Sequence, residues 1–249
     1  MRMSDSLDSI ASVAVFRRDP QIERIALANG ASCWIVDDAL AEPERFVAWA
    51  VAQRGAFRPV DFNAYPGTYR MLPVAVETAL EDFFNAHMRR CFDARRLRKM
   101  HCRLSMVTLP PPSLRPFQWL PHSDRFGLDA NESIQATVLY LFRDAGLGGT
   151  SFYAPSRPRE EIARLFEDSA RLTNDAFTQR YGIAPGYISP SNAYFERVGG
   201  VDARFNRLVF YDGSMLHSGD VRSPERLSAD PALGRLTFNG FFVSRRHAT

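Results

Sequence analysis

The sequence predicts a mainly β protein with helices first, then a series of strands broken by one helical insert. Two observations carry this. From about residue 100 onward, CRLSMVTL, SIQATVLYLF, TSFYA, AYFERV, NRLVFYDG and RLTFNGFFV are short runs rich in Val, Leu, Phe, Tyr and Thr, bounded by Pro, Gly, Asn and Asp. Before residue 100, apolar residues recur at helical spacing instead. Several short strands of this kind close into a sandwich, a barrel or a jelly roll. A length of 249 residues suits one domain. Residues 1–99 read as an N-terminal helical support. Residues 100–243 read as the β core, with the insert inside 155–190.

Residues 1–30 are polar and mixed, which fits a short strand and a turn. SCWIVDDAL follows, a β-rich run ending in two aspartates. In AEPERFVAWAVAQRG, Pro43 suits a first helical turn. Phe46, Val47, Ala50 and Val51 make one face of that helix, and Gly55 suits its C-terminal cap. Pro66-Gly67 in FNAYPGTYRML marks a turn. A second helix is predicted over 73–92, where Val76, Leu80, Phe83, Phe84, Met88 and Cys91 recur at helical intervals and must pack on something large. The insert, about 157–181, carries Ile162, Leu165, Phe166, Ala170 and Leu172 at similar intervals.

Composition excludes several classes. There are 31 basic and 28 acidic residues, for a net charge of +3, too balanced to argue for nucleic acid. No apolar run approaches the roughly 18 residues of a membrane span. MRMSDSLDSIASVAVF holds acidic residues and no long apolar stretch, so it does not read as a secretory signal. Cys33, Cys91 and Cys102 are odd in number and none is at C-x-x-C spacing, so neither a disulfide framework nor a zinc knuckle is expected. The expectation is a cytoplasmic protein with no membrane partner. Lys99 is the only lysine and sits in a solvated basic run with Arg96 and Arg98, which leaves lysine-based covalent chemistry one poor candidate.

The chemistry gathers at LPHSDRF. On an extended segment, period-2 alternation puts His122 and Asp124 on the same face. A histidine and a carboxylate that converge are two-thirds of a facial metal triad. The best third ligand is His217, at the end of the β-like run RLVFYDGSMLHSG. Two imidazoles and one carboxylate leave three positions open, which suits Fe(II) oxygenases. A closed zinc site would need a fourth ligand, and none stands at a supporting spacing. In ALGRLTFNGFFV, Arg235 and Thr237 share a strand face. An arginine inside an apolar barrel is costly unless paired with an anion, and its planar fork fits a carboxylate. Thr237 offers a further hydrogen bond to the same group.

At this point the chain resembles the Fe(II)- and 2-oxoglutarate-dependent dioxygenases, in their prolyl-hydroxylase-like branch. The family pattern is His-x-Asp, a distant His, then a basic residue opening the last core strand. Here it reads His122-Ser123-Asp124, His217 and Arg235. Arg235-x-Thr237 resembles the family's Arg-x-Ser motif for 2-oxoglutarate, with Thr for Ser. Gly148-Gly149-Thr150 resembles its Gly-Gly turn. The resemblance spans about 33–243 and implies a double-stranded β-helix (jelly roll) core. It implies Fe(II) on His122, Asp124 and His217 as the catalytic metal, and 2-oxoglutarate on Arg235 and Thr237. Dioxygen would be the oxidant and hydroxylation the default outcome. Halogenating relatives replace the carboxylate, so Asp124 argues against that chemistry. The interval from His217 to Arg235 is longer than usual, filled by a polar loop expected near the site mouth. The sequence does not give the substrate; the resemblance leaves it open between a small molecule and an amino-acid or peptide side chain.

Other candidates are weaker. His87 lies on the second helix, His101 opens a strand without a carboxylate partner, and His247 sits in the tail. Asp212 precedes a glycine and suits a turn. Gln118 and Trp119 line a pocket or pack at the barrel rim. Ser105 and Thr137 lie on strands whose parity the sequence leaves open. The early helices serve a homodimer interface or the back of the barrel. Two rivals stand beside the dioxygenase: a cupin-like metalloenzyme that does not use 2-oxoglutarate, and a non-catalytic jelly-roll binding module.

Overall fold

A computed structural model describes residues 14–59, 65–125 and 127–246. The N-terminal part holds β1 (Ile22–Ala26), β2 (Ser32–Val36), α1 (Pro43–Ala52), β3 (Arg58–Pro59), β4 (Gly67–Met71) and α2 (Val74–Phe83). β5 (Ala94–Val107), β6 (Glu132–Tyr140) and β7 (Thr150–Pro155) follow. The insert contributes α3 (Arg159–Ser169) and α4 (Asn174–Tyr181). The chain ends with β8 (Phe195–Val201), β9 (Leu208–Asp212), β10 (Leu216–Gly219) and β11 (Arg235–Arg246).

The strands form two antiparallel sheets. The larger has the order β1-β2-β9-β6-β11-β5-β4-β3, the smaller β10-β7-β8. Neighbours far apart in sequence, such as β9 beside β2 and β11 between β5 and β6, are the rolled connections of a jelly roll. The mainly β fold with supporting helices is therefore as the sequence predicts.

Alternation along each strand decides which residues enter the site. On one face of the large sheet, Phe210, Phe238, Phe242, Leu104 and Met106 meet Phe46 and Trp49 of α1 and Val76, Leu80 and Phe83 of α2 in one buried cluster. The early helices are thus the back of the barrel. The opposite face carries Cys33, Ile35, Ala136, Val138, Val209 and Tyr211, which pack on Phe152, Val198 and Val201 of the small sheet. This second layer is the jelly-roll interior. The outer face of the small sheet, with Tyr153 and Phe195, is covered by Ile162 and Leu165 of α3, Phe177 of α4, and Leu114 and Trp119.

Some boundaries differ from the sequence reading. α1 ends at Ala52 with Gln53 as its C-cap, and Gly55 sits in a following 3-10 turn rather than capping the helix. The second helix continues past Phe83 through a wider π turn, Phe84–Met88, and a 3-10 turn, Arg89–Phe92, so the helical run reaches residue 92 as expected. β5 begins at Ala94 and places His101 in mid-strand. The insert is two helices, broken at 170–173, where the Thr173 hydroxyl caps α4 by accepting the Ala176 N–H. No helix among the described residues is long and apolar enough to cross a membrane.

Candidate metal centre

His122 and His217 face each other across the open edge of the small sheet. The N–H of each donates to the carbonyl of the other, at 2.9 and 2.8 Å. Such a reciprocal antiparallel pair puts both side chains on the same face. Their ring centroids lie 4.4 Å apart. Two residues on, the Asp124 N–H donates to the Gly213 carbonyl at 2.8 Å, and Gly213 in turn donates to Ile134 on β6. That anchor holds the segment extended, so the carboxylate returns to the face of His122. Asp124 Oδ2 lies 3.4 Å from His217 Nε2, and Oδ1 lies 3.8 Å from His122 Nε2. One ligand atom from each of the three lies within 4.8 Å of the others. The sequence-predicted triad is therefore brought together.

The environment of these atoms is one a cation would complete. His217 is 4% exposed, and its Nδ1 lies 2.8 Å from the Met215 carbonyl. A carbonyl only accepts, so Nδ1 carries the proton and Nε2 presents its lone pair to Asp124. Asp124 Oδ2 is buried with no hydrogen-bond partner. Acceptors turned toward one another without a donor are costly in a protein interior. Burial holds His217 down to about 4. Desolvation at the centre, with His217 beside it, also holds His122 down to about 4. The His122 side chain is 48% exposed and opens the centre to solvent. Both imidazoles are neutral at physiological pH, the form that binds metals. Burial raises the Asp124 carboxyl, against the opposing pull of His122 and Arg103.

Arg235 and Thr237 lie on the interior face of β11, opposite Val107 and Ser105 of β5. Arg235 is 4% exposed, as the sequence argument requires. Its burial is compensated differently from what that argument expects. Nε donates to the carbonyls of Leu147 and Gly148 at 3.0 and 3.3 Å, and Nη2 donates to Gly149 at 2.7 Å. The backbone of the Gly-Gly turn, rather than an anion, satisfies most of the fork. That turn needs its glycines. Gly148 has φ +71°, a side chain there would meet the Asp220 carbonyl, and one at Gly149 would meet the Val201 carbonyl. The Thr237 hydroxyl lies 2.9 Å from Asn239 Oδ1 and 3.3 Å from the Ser105 carbonyl, both acceptors.

The weaker candidates resolve by parity and partners. Ser105 faces the interior, whereas Thr137 donates to the Val209 carbonyl from the opposite face of its strand. Asp212 accepts the Ser214 N–H in a turn. Trp119 is 1% exposed and packs edge-on against Phe177, so it is a core residue. His87 packs tilted against the Phe83 ring, with centroids 5.0 Å apart. His247 lies outside the described residues. The loop between His217 and Arg235 packs on the turn before the Gly-Gly pair, through Ser223 N–H to the Gly146 carbonyl and Arg226 to Asp144. It therefore borders the Arg235 end of the site.

Two interior residues escaped the sequence reading. The buried Tyr65 hydroxyl faces Thr237 and Ser105, with Arg235 and Arg103 bearing on it electrostatically. Arg103 lies on β5 beside Asn239 of β11 and stands over the ring of Phe241. A signal for Arg103 was present: His101, Arg103 and Ser105 alternate with Cys102, Leu104 and Met106. Tyr65 had none, because it precedes β4 in an irregular segment.

A family model described as a family of unknown function, DUF6445, matches residues 18–242. The chain belongs to this family. No curated protein matches it in sequence. Among solved structures, the DUF6445 chain is similar to SnoK, a non-heme α-ketoglutarate-dependent carbocyclase from nogalamycin biosynthesis. They share 16% identity over 86% of this chain and 81% of that one, with a TM-score of 0.48. It is also similar to a Pseudomonas putida prolyl-4-hydroxylase, at 15% identity over 99% and 100% of the two chains and a TM-score of 0.41. A third is HygX from Streptomyces hygroscopicus with nickel and 2-oxoglutarate bound, at 10% identity over 89% and 85%, with a TM-score of 0.47. Identities this low leave the role of each side chain to its own geometry.

Proposed function

We propose that this chain is a non-haem Fe(II)- and 2-oxoglutarate-dependent oxygenase that hydroxylates a C–H bond of a small molecule or an amino-acid side chain. The observation that carries the reading is the convergence of His122, Asp124 and His217, with a lone pair of His217 and a partnerless Asp124 oxygen turned toward one point. Two imidazoles and one carboxylate on one face suit Fe(II) and leave three positions open. Bound there, iron with 2-oxoglutarate would supply dioxygen activation and the oxidising power for C–H cleavage.

The chain's own residues do the rest. His122 and His217 would hold the metal through Nε2, and the Met215 carbonyl keeps His217 in the required tautomer. Asp124 would supply the anionic ligand. Gly219 lies two residues beyond His217 on β10, and a side-chain atom added there would stand 3.4 Å from Arg235 Nη2. Two residues of strand cover about 7 Å. A five-carbon diacid that chelates the metal through one end therefore suits an Arg235 contact at the other. The carbonyls of Leu147–Gly149 fix the orientation of the Arg235 fork, leaving Nη1 for the carboxylate. Thr237 and Tyr65 border the same space.

The test is 2-oxoglutarate binding to anaerobic, Fe(II)-reconstituted protein, read by the weak visible metal-to-ligand charge-transfer band. The expected result is a band lost in Asp124→Ala, with 2-oxoglutarate affinity falling at least tenfold in Arg235→Met. Metal uptake with no band and no 2-oxoglutarate affinity would overturn the reading in favour of a cupin-like metalloenzyme.

A further inference from the structure

Among the described residues, Arg103 is one of two half-buried arginines whose Nε is buried without a partner; the other, Arg70, lies on the opposite face of the sheet, over the Trp49 ring. By comparison, Arg207 has the Asp37 carboxylate and Arg235 has three carbonyls. Among the described residues the Arg103 guanidinium has no ion pair and no hydrogen bond, and its Nε is buried without a partner. On the interior face, a buried guanidinium N–H without an acceptor is a cost that a bound acceptor would remove.

It is nevertheless held in place. Tyr69 on β4 and Phe241 on β11 flank Arg103 diagonally on the interior face. The guanidinium carbon lies 5.2 Å from the Tyr69 ring centroid and 4.7 Å from that of Phe241. His101 stacks on Phe241 in turn, at 4.9 Å and 16°. Aromatic rings engage the faces of a guanidinium and leave its N–H edge for a ligand. The group is on the metal centre's side of the sheet: Phe241 beneath it pairs with Ala136 of β6, Ala136 pairs with Tyr211 of β9, and the Tyr211 ring lies 4.7 Å from that of His217.

Charge balance points the same way, and this step rests on the oxygenase reading. A divalent metal and doubly charged 2-oxoglutarate cancel. Asp124 balances one of the two interior arginines. One positive charge is left, and it is on the arginine without a partner.

We infer that Arg103 is a substrate-binding residue that anchors an oxyanion, so the molecule oxidised at this centre carries a carboxylate or phosphate group. The Arg103 fork would take two oxygens of that group and set the distance between it and the C–H bond presented to the metal. The site would thus favour acidic small molecules over neutral ones.

The test uses the full chain loaded with Mn(II), which broadens the NMR lines of molecules bound near it. With 2-oxoglutarate saturating, two probes are titrated: inorganic phosphate, read by its phosphorus line, and phenylacetate, read by its ring protons. Saturable broadening of at least one is expected, and the responding probe identifies the class of oxyanion. The affinity should fall at least tenfold in Arg103→Met, which keeps the stem between the rings. Arg103→Lys, which keeps charge but not the fork, should fall in between. Calorimetric 2-oxoglutarate affinity should stay within twofold in Arg103→Met, with an unchanged unfolding midpoint confirming the fold. Equal broadening in Arg103→Met, or none in the unaltered protein, would overturn the inference. Loss of 2-oxoglutarate affinity in Arg103→Met would overturn it too, by making Arg103 the co-substrate anchor. If the unaltered protein binds no 2-oxoglutarate at all, the oxygenase reading fails separately, and the same titration without it still decides Arg103.

Discussion

Asn206 is a residue whose identity follows from two demands at once. Its φ is +64°, a conformation that side chains other than Gly, Asn and Asp rarely adopt. It is 4% exposed, and its amide reads Leu40 completely: Oδ1 accepts the Leu40 N–H at 2.9 Å and Nδ2 donates to the Leu40 carbonyl at 3.0 Å. This links the turn before β9 to the segment before α1. Asn206→Ala strains the backbone and strands two buried polar groups, a loss of about 3–5 kcal/mol. Asn206→Gly keeps the conformation and loses only the side-chain bonds, so it should be about 1 kcal/mol less damaging. Urea unfolding of the two variants checks this, and equal losses would mean the left-handed backbone costs nothing here. The convergence of His122 and Asp124 was legible at the same scale because alternation on an extended segment needs no tertiary information. The status of Arg235 was only half legible. Its burial followed from parity, but the carbonyls that satisfy it come from a turn 86 to 88 residues away.

Elements were legible where one face is buried and illegible where neither is. β11 shows Arg235, Thr237 and Asn239 against Leu236 and Phe238 because the two faces of its sheet differ in polarity. The first half of β5, Ala94–His101, carries charge on alternate and consecutive positions alike, since it is largely solvent-exposed. Its strand character comes from pairing with β11, which the sequence cannot display. The joint between β2 and β9 is likewise a tertiary feature. Asp37, just after β2, takes both Oδ atoms into a fork with Arg207, at 2.6 and 2.9 Å, and also accepts from Arg204 at 2.8 Å. Those two guanidinium groups, Arg207 foremost, hold the Asp37 carboxyl below its ordinary value. A carboxyl with a lowered folded pKa stabilises the fold above its unfolded pKa, near 4, and that contribution is lost as pH falls through the folded value. Asp37→Asn should therefore lower the unfolding midpoint at pH 7. The difference from the unaltered protein should shrink steadily below pH 4. Thermal unfolding between pH 7 and pH 2.5 reads this directly. A difference that stays constant with pH would mean the side chain acts through packing rather than charge.

For the molecule as a whole, the two sheets place the same triad under opposing demands of stability and function. The segment of His122 and Asp124 is joined to β10 and β9 by backbone bonds, so the three ligand groups are already assembled in the fold. Without a cation, that assembly buries a carboxylate oxygen with no donor and is a cost to folding. A metal that binds only the folded chain removes the cost and adds RT ln(1 + [M]/Kd), about 2.7 kcal/mol at a hundredfold excess over Kd. For a chain of this size that corresponds to a rise of roughly 5–10 °C in the unfolding midpoint. Asp124→Ala should then act with opposite signs in the two states. In chelator it removes the partnerless buried oxygen and should leave the midpoint unchanged or higher. With metal present it should lose most of the rise, because two imidazoles alone hold the ion weakly. Calorimetric unfolding in chelator and in Ni(II), for the unaltered protein and the variant, separates these terms in four measurements. A lower midpoint for Asp124→Ala in both conditions by the same amount would mean that Asp124 holds the fold rather than a metal. That outcome would remove the ground on which the oxygenase reading stands.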